Sequence, residues 1–552
     1  MEVSAAFAQA TQLHQQGDLI GALAIYDQVL AANPDSAEAL LQRAEILAAL
    51  QRHEDALIAV DRLLKRDPVS APALRLRGQS RFALKQYERA FHDLAFVAAL
   101  DPDAKYIPGM AFNLSQRICA WSDNDARLAD LQSRVDAGKP VVTPFQFLTV
   151  PSSPEQQKTC AVNFFRKEIG GEKRPAATPS RAHGKIRLGY FSADFREHAT
   201  SHLINGLFKA HDRSRFEVVA FAFGGDPRDP VRHAIARNVD RLFDVSAASD
   251  SAIVDLATSQ EIDVAIDLNV YMDRQPAIFA KRVAPIQVNY LGYAGTSGAP
   301  CYDYIIGDSI VTPAVHQAHF SETIVTLPHA YQPTAFKGFT ELQTPTREAL
   351  GLPPDGFVFC CLNGSLKITP DVFDVWMRLL QAVEGSVLWL LGKNDAAISN
   401  LRLEAARRGV SRERLVFAPQ VSTRDHIARY AAADLFLDTF HYNAHTTASD
   451  ALWAGLPLLG DTFPARVAAS LVTAAGLPEL VTQTTEAYEQ RALELARQPA
   501  LLKAMRERLT ENKLSCPLFD TARYTRNIEA AYTQMWRRYQ AGQAPAAITV
   551  SE

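Results

Sequence analysis

The chain has 552 residues, too many for one ordinary hydrophobic core, so two to four domains are expected. Its 47% hydrophobic and 21% charged content is globular and excludes a largely disordered chain. A net charge of −4, from 57 basic and 61 acidic residues, excludes a nucleic-acid binder that works through bulk positive charge.

No apolar run reaches the roughly 18–20 residues needed to span a bilayer. The segment Met1–Asp18 lacks the basic-then-apolar pattern of a secretory signal. A cytoplasmic protein with neither nucleic acid nor membrane as partner is expected. The cysteines Cys119, Cys160, Cys301, Cys360, Cys361 and Cys516 are scattered without a CxxC pair, so they read as buried small hydrophobes.

Along the chain, a repeat comes first. Ala22, Ala56 and Ala90 are 34 residues apart, as are Pro34, Pro68 and Pro102, and Asn33, Asp67 and Asp101. Ala10, Ala44 and Gly78 keep the same period. This is tetratricopeptide spacing: small residues let paired helices touch, and the proline ends the second helix. Three such repeats are expected over 1–102, enough for a stacked core. Residues 103–184 read as a helical extension and a Pro-rich linker, with Pro140, Pro144, Pro151 and Pro154.

From 185 the texture alternates between strands and helices. Apolar runs at 186–191, 216–223, 264–268 and 304–308 form one series. Runs at 357–363, 386–392, 415–419, 435–439 and 457–461 form a second. Such alternation implies parallel sheets covered on both faces. Two Rossmann-like domains with a cleft between them are predicted at 185–340 and 341–515, followed by a helix over 516–540 that crosses back. Neither first strand is followed by GxGxxG, so any phosphate site must use another device.

The segment LFLDTFHYNAHTTASDALWAGLP, 435–457, carries the strongest candidate. A helix should begin within 445–447, with Thr446 and Thr447 in its cap and first turn, where N–H groups favour an anion. Asp450 lies one turn further on, suited to ribose hydroxyls. An ordinary capped helix fits the same residues. Lys367 follows the strand at 357–363 and should reach the same sheet edge, where a lysine can neutralise a diphosphate. His426, after the strand at 415–419, should sit at a third such edge. In the first series Asp194, His198 and His202 follow the strand at 186–191. Asp194 and His198 are candidates for proton transfer or orientation, although a polar capped loop fits that spacing equally well. The turn LGYAGTSGAP, 291–300, suits close backbone approach by a ligand. His441 and His445 have HxxxH spacing but lie in a loop, and Asp123-Asn124-Asp125 imitates DxD without a preceding strand, so no metal site is expected.

Repeats followed by GYFSADFREHATSHL, APIQVNYLGYAGTSGAPCYDYIIGD, SVLWLL and HTTASDALWAGLP, in that order over nearly the whole chain, resemble the O-GlcNAc transferase family. The resemblance implies an all-α tetratricopeptide superhelix followed by an α/β GT-B fold. It implies UDP-GlcNAc as donor, inversion at the anomeric carbon, transfer to Ser or Thr hydroxyls of proteins, and no essential metal or other cofactor. Three repeats without a large insertion are similar to bacterial members.

Carried over by motif, Lys367 would bind the β-phosphate, Thr446 and Thr447 the diphosphate, Asp450 the ribose and His426 the nucleotide. His445 would line the same pocket. His198 would lie near sugar and acceptor with Asp194 and Thr200 close by, and Leu291 and Gly292 would pack against the GlcNAc. The general base stays open between His198 and Asp194. Acceptor proteins would dock along the repeats. The sequence departs from the family pattern at TPFQFLTVP, 143–151, which lacks the histidines of animal relatives. It departs again at Gly364 and Leu366, where glutamine and tyrosine are expected. The alternatives are a repeat scaffold whose transferase domain binds nucleotide without turnover, and a sugar-nucleotide epimerase, which would not need docking repeats.

Overall fold

Two helices can approach closely only where one offers a side chain no larger than a methyl group. Ala10, Ala22, Ala44, Ala56 and Ala90 are all fully buried, and a Cβ at Gly78 would stand 2.6 Å from Leu94. The computed structural model describes residues 3–170, 184–334, 343–453, 463–513 and 515–552. The chain divides into two units, residues 1–142 and 143–552. The first contains three helix pairs: Val3–Gln15 with Leu19–Ala32, Ala37–Ala49 with His53–Leu64, and Ala71–Ala83 with Tyr87–Leu100. Ion pairs repeat with them, Asp27 to Arg43 at 2.6 Å and Asp61 to Arg77 at 3.1 Å, one period apart. Two more helices follow, Ile107–Arg117 and Asn124–Asp136. Asp123 opens the second with φ +56°, so the Asp-Asn-Asp sequence is a helix-opening turn.

Among its described residues, the second unit holds two separate parallel sheets. Strands β1 (Ile186–Ser192), β2 (Phe216–Ala222), β3 (Arg241–Asp244), β4 (Val264–Asp267), β5 (Ile286–Asn289), β6 (Tyr304–Asp308) and β7 (Thr323–Leu327) belong to the N-lobe. Strands β8 (Val358–Cys361), β9 (Val387–Leu391), β10 (Leu415–Ala418) and β11 (Leu435–Phe436) form the C-lobe sheet. A last strand, β12 (Ile548–Thr549), returns to the N-lobe. The orders are β12-β7-β6-β5-β4-β1-β2-β3 and β10-β9-β8-β11, every pairing parallel. Each contains the doubly wound 3-2-1-4 arrangement. All six cysteines are free and buried.

The structure corrects several sequence expectations. Residues 143–169 are not a linker, because Leu148 and Phe165 sit in the N-lobe core with Phe191, Phe221 and Phe279. Strands β3, β7 and β12 were not anticipated, and β5 only as a strand of no stated bounds before the turn at 291–300: β3 is a short, partly exposed edge strand, RLFD, and β12 is two residues long. The expected domain boundary near 340, most of the 170–185 segment and the strand expected at 457–461 lie outside the described residues.

The helix Thr521–Gln540 straps onto the N-lobe through a buried polar cluster. Tyr190 hydroxyl meets His211 Nε2 at 3.0 Å and the Tyr532 hydroxyl at 3.2 Å, while His211 Nδ1 meets Glu529 Oε1 at 2.9 Å. Tyr524 hydroxyl bonds Tyr290 and donates to the Tyr331 carbonyl. Burial holds the His211 pKa below 6.5 although Glu529 pulls it upward. The folded state therefore binds fewer protons than the unfolded one as pH falls below 6.5. Unfolding free energy from urea titrations over about pH 5.5–7.5 should drop toward the acid end. His211→Gln, which cannot take up the proton, should lose part of that slope.

Candidate active site

In a 3-2-1-4 sheet the chain leaves strand 1 toward one side and returns as strand 4 on the other. The carboxyl ends of these two strands thus bound a crevice that no crossover fills. In the N-lobe that point lies between β1 and β4, in the C-lobe between β8 and β11. Asp194 and His198 follow β1, Lys367 follows β8, and His445, Thr446, Thr447 and Asp450 follow β11. Leu291 and Gly292 follow β5, next to β4. His426 follows β10, an edge strand, and lies further out.

Lys367 ends a single 3-10 turn, after which Thr369 and Pro370 open the helix Pro370–Ala382. Its Nζ donates to the Asn443 carbonyl at 2.8 Å and stands 4.5 Å from the centre of the Tyr442 ring. The loop beneath it hangs on Asp438, which is fully buried. Asp438 Oδ1 accepts from Asn363 Nδ2 at 3.0 Å, Thr439 N at 2.8 Å and Ala444 N at 2.9 Å. Burial lowers the lysine's pKa and the Asp438 charge offsets part of that fall.

His445, rather than Thr446, is the N-cap of the helix Thr446–Leu452, and among the described residues no side chain caps it. The first N–H groups of a helix have no intrahelical partner, so this end is open to an acceptor. His445 Nε2 donates to the Pro464 carbonyl at 3.0 Å, and its ring stacks on Tyr442 at 4.8 Å. Burial and the Lys367 charge push its pKa down to about 3, so it is neutral. Asp450 is buried within the same helix. His426 Nδ1 receives Arg429 Nη2 at 2.6 Å and its ring meets Tyr430 edge-on at 5.0 Å. His441 is turned away onto Asp371 at 2.8 Å, so His441 and His445 do not form a ligand pair. Among the described residues, no three His, Cys, Asp or Glu side chains gather where a metal ion could sit.

On the N-lobe side His198 caps the helix Ala199–Ala210, its Nδ1 accepting the Thr200 N–H at 3.3 Å. Burial lowers its pKa, so the ring is neutral. A neutral ring whose Nδ1 accepts carries its proton on Nε2 and offers a donor there. Asp194, 5% exposed, lies 3.5 Å from that Nδ1 and accepts from Asn269 Nδ2 at 2.6 Å and Arg196 at 3.3 Å. Asn269 also receives Ser192 Oγ and the Ala193 N–H. His202 pairs with Glu197 at 2.5 Å and is diverted from the group. Two residues without glycine's freedom are held in the left-handed region here, Val270 at φ +45° and Leu291 at φ +76°. Gly292 runs so close to the Leu268 carbonyl that a Cβ would collide with it.

The two halves meet at Tyr442, the ring under Lys367, which packs on the N-lobe cluster containing Tyr293. Arg466 of the C-lobe donates to the Val311 carbonyl at 2.9 Å, and Ser470 to Asp308 at 2.6 Å. A cavity of about 610 Å³ opens between the lobes, lined by Ser152 and Ile310 on one side and Asp371, Phe440, His441 and Arg466 on the other. Its wall includes Asp371, four residues beyond Lys367, but not Lys367 or Thr446. Sequence reading missed Asp438, Asn363, Tyr442 and Asn269. Their one signal was position, immediately after the strands β11, β8 and β4.

The chain matches the model of glycosyl transferase family 41 over residues 118–343 and 334–528, and a tetratricopeptide repeat model over 13–79. It is 34% identical over 463 residues to a probable UDP-N-acetylglucosamine–peptide N-acetylglucosaminyltransferase of Arabidopsis thaliana, covering 79% of this chain and 47% of that protein. A Caenorhabditis elegans UDP-N-acetylglucosamine–peptide N-acetylglucosaminyltransferase is 27% identical, with 77% and 48% covered. The chain thus spans about half the length of the curated relatives it matches. A solved lysine-to-methionine mutant of Thermobaculum terrenum O-GlcNAc transferase superimposes with TM-score 0.73 at 26% identity, covering 98% of both chains. Repeats, paired doubly wound sheets and these matches agree: the chain belongs to glycosyl transferase family 41.

Proposed function

We propose that this chain is an inverting glycosyltransferase that moves GlcNAc from UDP-GlcNAc to serine or threonine hydroxyls of proteins, with no metal ion. The donor and the peptide acceptor follow from the names its relatives carry. The observation that supports the chemistry most directly is Lys367, fixed beside the uncapped start of the helix Thr446–Leu452 at the C-lobe switch point.

In this reading Lys367 holds the β-phosphate and the backbone N–H groups at Thr446 and Thr447 hold the diphosphate. His445 lines that pocket, Asp450 takes the ribose and His426 the nucleotide. Thr200, Leu291 and Gly292 form the sugar pocket. As the glycosidic bond breaks, negative charge grows on the β-phosphate oxygen, and an ammonium already in place stabilises it without a divalent ion. His198 then serves as a hydrogen-bond donor through Nε2 toward sugar or acceptor. The Thr200 N–H orients the ring through Nδ1, and Asp194, held by Asn269 and Arg196, packs 3.5 Å from that nitrogen. Acceptor polypeptides dock along the repeats. Six buried free cysteines suit a reducing cytoplasmic setting.

Lys367→Met keeps side-chain length and loses the charge. Turnover in a UDP-release assay should fall by on the order of 10²–10³, as for loss of one preorganised donor. UDP affinity by calorimetry should fall less, because the helix terminus still holds the diphosphate. His198→Ala should leave UDP affinity almost intact while transfer to peptide, followed by mass spectrometry, drops about tenfold or more, the worth of one hydrogen bond. Loss of UDP binding in His198→Ala, or full turnover in Lys367→Met, would overturn these roles.

The absence of a metal is checked separately. Adding EDTA should leave UDP affinity unchanged; a large loss restored by manganese would bring a metal-assisted mechanism back.

A further inference from the structure

Lys367 has neighbours on every side, and most of them are neutral. The Cys361 thiol is pushed up by burial, and Tyr442 is pushed up to about 12. His445 is neutral. Among the described residues, Asp438 is the acidic side chain whose charge holds the lysine up; burial pushes its own carboxyl up to about 7, and the Lys367 ammonium and its N–H donors pull it back toward the charged form. The close partners of the Asp438 carboxyl are N–H donors, Asn363 Nδ2, Thr439 N and Ala444 N, the last reaching both oxygens at 2.9 and 3.1 Å, with the Thr439 hydroxyl further off at 3.5 Å. Such a set of N–H donors favours the carboxylate over the carboxylic acid.

The same contacts shape the ground on which the lysine stands. Thr439 N and Ala444 N bracket the loop that carries the Tyr442 ring and the Asn443 carbonyl. Asn443 is pinned from behind, its Nδ2 donating to the Ala465 carbonyl at 2.7 Å. The Asp438 carbonyl is fixed in turn by the Tyr488 hydroxyl, which receives Trp376 Nε1.

We propose that Asp438 is a positioning residue for Lys367: it fixes the loop 439–444 beneath the ammonium and supplies the buried negative charge that keeps it charged before the donor binds. This rests on Lys367 being the group that holds the diphosphate. Lys367 alone would be a half-buried cation easily neutralised. With Asp438 it is a preformed ammonium, ready when a diphosphate arrives.

Asp438→Asn separates charge from shape, because the amide oxygen keeps the bonds from Asn363 and Thr439. Without the negative charge the ammonium loses stabilisation, so its pKa falls. UDP affinity, measured by calorimetry against pH, should lose its lysine-dependent part at a midpoint on the order of one pH unit more acidic than in the unaltered chain. The basic limb of kcat/KM should move the same way, with activity recovering toward acid. In a Lys367→Met background Asp438→Asn should shift neither, since the two act as one unit. A thermal melt within a few degrees of the unaltered chain shows that the fold survived.

An unmoved midpoint in a folded Asp438→Asn chain, or an equal effect in the Lys367→Met background, would overturn the inference. If Asp438→Asn does not fold, the unaltered chain still decides. UDP binding near neutral pH should take up no net proton when calorimetry is compared in buffers of different ionisation enthalpy, and uptake of about one proton would overturn it. A chain that shows the midpoint shift yet transfers no sugar would reject the transferase reading and leave the Lys367–Asp438 pair standing.

Discussion

Parallel strands leave all their carboxyl ends on one edge of a sheet, and a 3-2-1-4 order leaves one gap along that edge. Everything chemical in the second unit follows from using this constraint twice. β1 and β4 deliver Asp194, His198 and Asn269 to one crevice, and β8 and β11 deliver Lys367, Asp438 and Thr446 to another. Tyr442 on the N-lobe cluster and the Arg466 and Ser470 contacts bring the two crevices together.

Both crevices are organised by a buried acid that accepts backbone N–H groups just past a strand. Asp267 accepts from Asn269 N and Val270 N and Asp438 from Thr439 N and Ala444 N; between β5 and β6, Glu322 likewise holds the Ser297 N–H. Burying a carboxylate is costly unless its lone pairs are filled. Here filling them freezes loops that would otherwise be soft. The left-handed Val270 and Leu291 stand next to these anchors, where the surrounding bonds can hold a strained backbone in place.

Much of the architecture was legible because its causes are periodic. Ala22, Ala56 and Ala90 mark the helix contacts directly, and runs such as VFCC and VLWLL, alternating with amphipathic helices, read as buried parallel strands. The motif residues were legible too, since Lys367 and the Thr446–Thr447 pair follow strands. What escaped was the support. Asp438 and Asn269 look like ordinary turn residues, because their work is done by hydrogen bonds whose partners lie up to some 75 positions away. Leu148 and Phe165 were hidden among prolines that suggested a linker, and β12 is too short to leave any periodicity.

The strap from Thr521 to Thr549 has a consequence for how the molecule is made. Tyr190 and Tyr290 belong to β1 and to the residue just past β5, yet the side chains that close over them, Tyr532 and Tyr524, come from the far end of the chain. On a ribosome adding about 5–20 residues per second, the N-lobe sheet emerges and then waits on the order of tens of seconds for its cover. During that interval β7 is an open edge and the tyrosines face solvent or a chaperone. The C-lobe must emerge and begin folding while its neighbour is still unfinished, so synthesis passes through a stage in which the C-lobe crevice forms before the N-lobe crevice is complete.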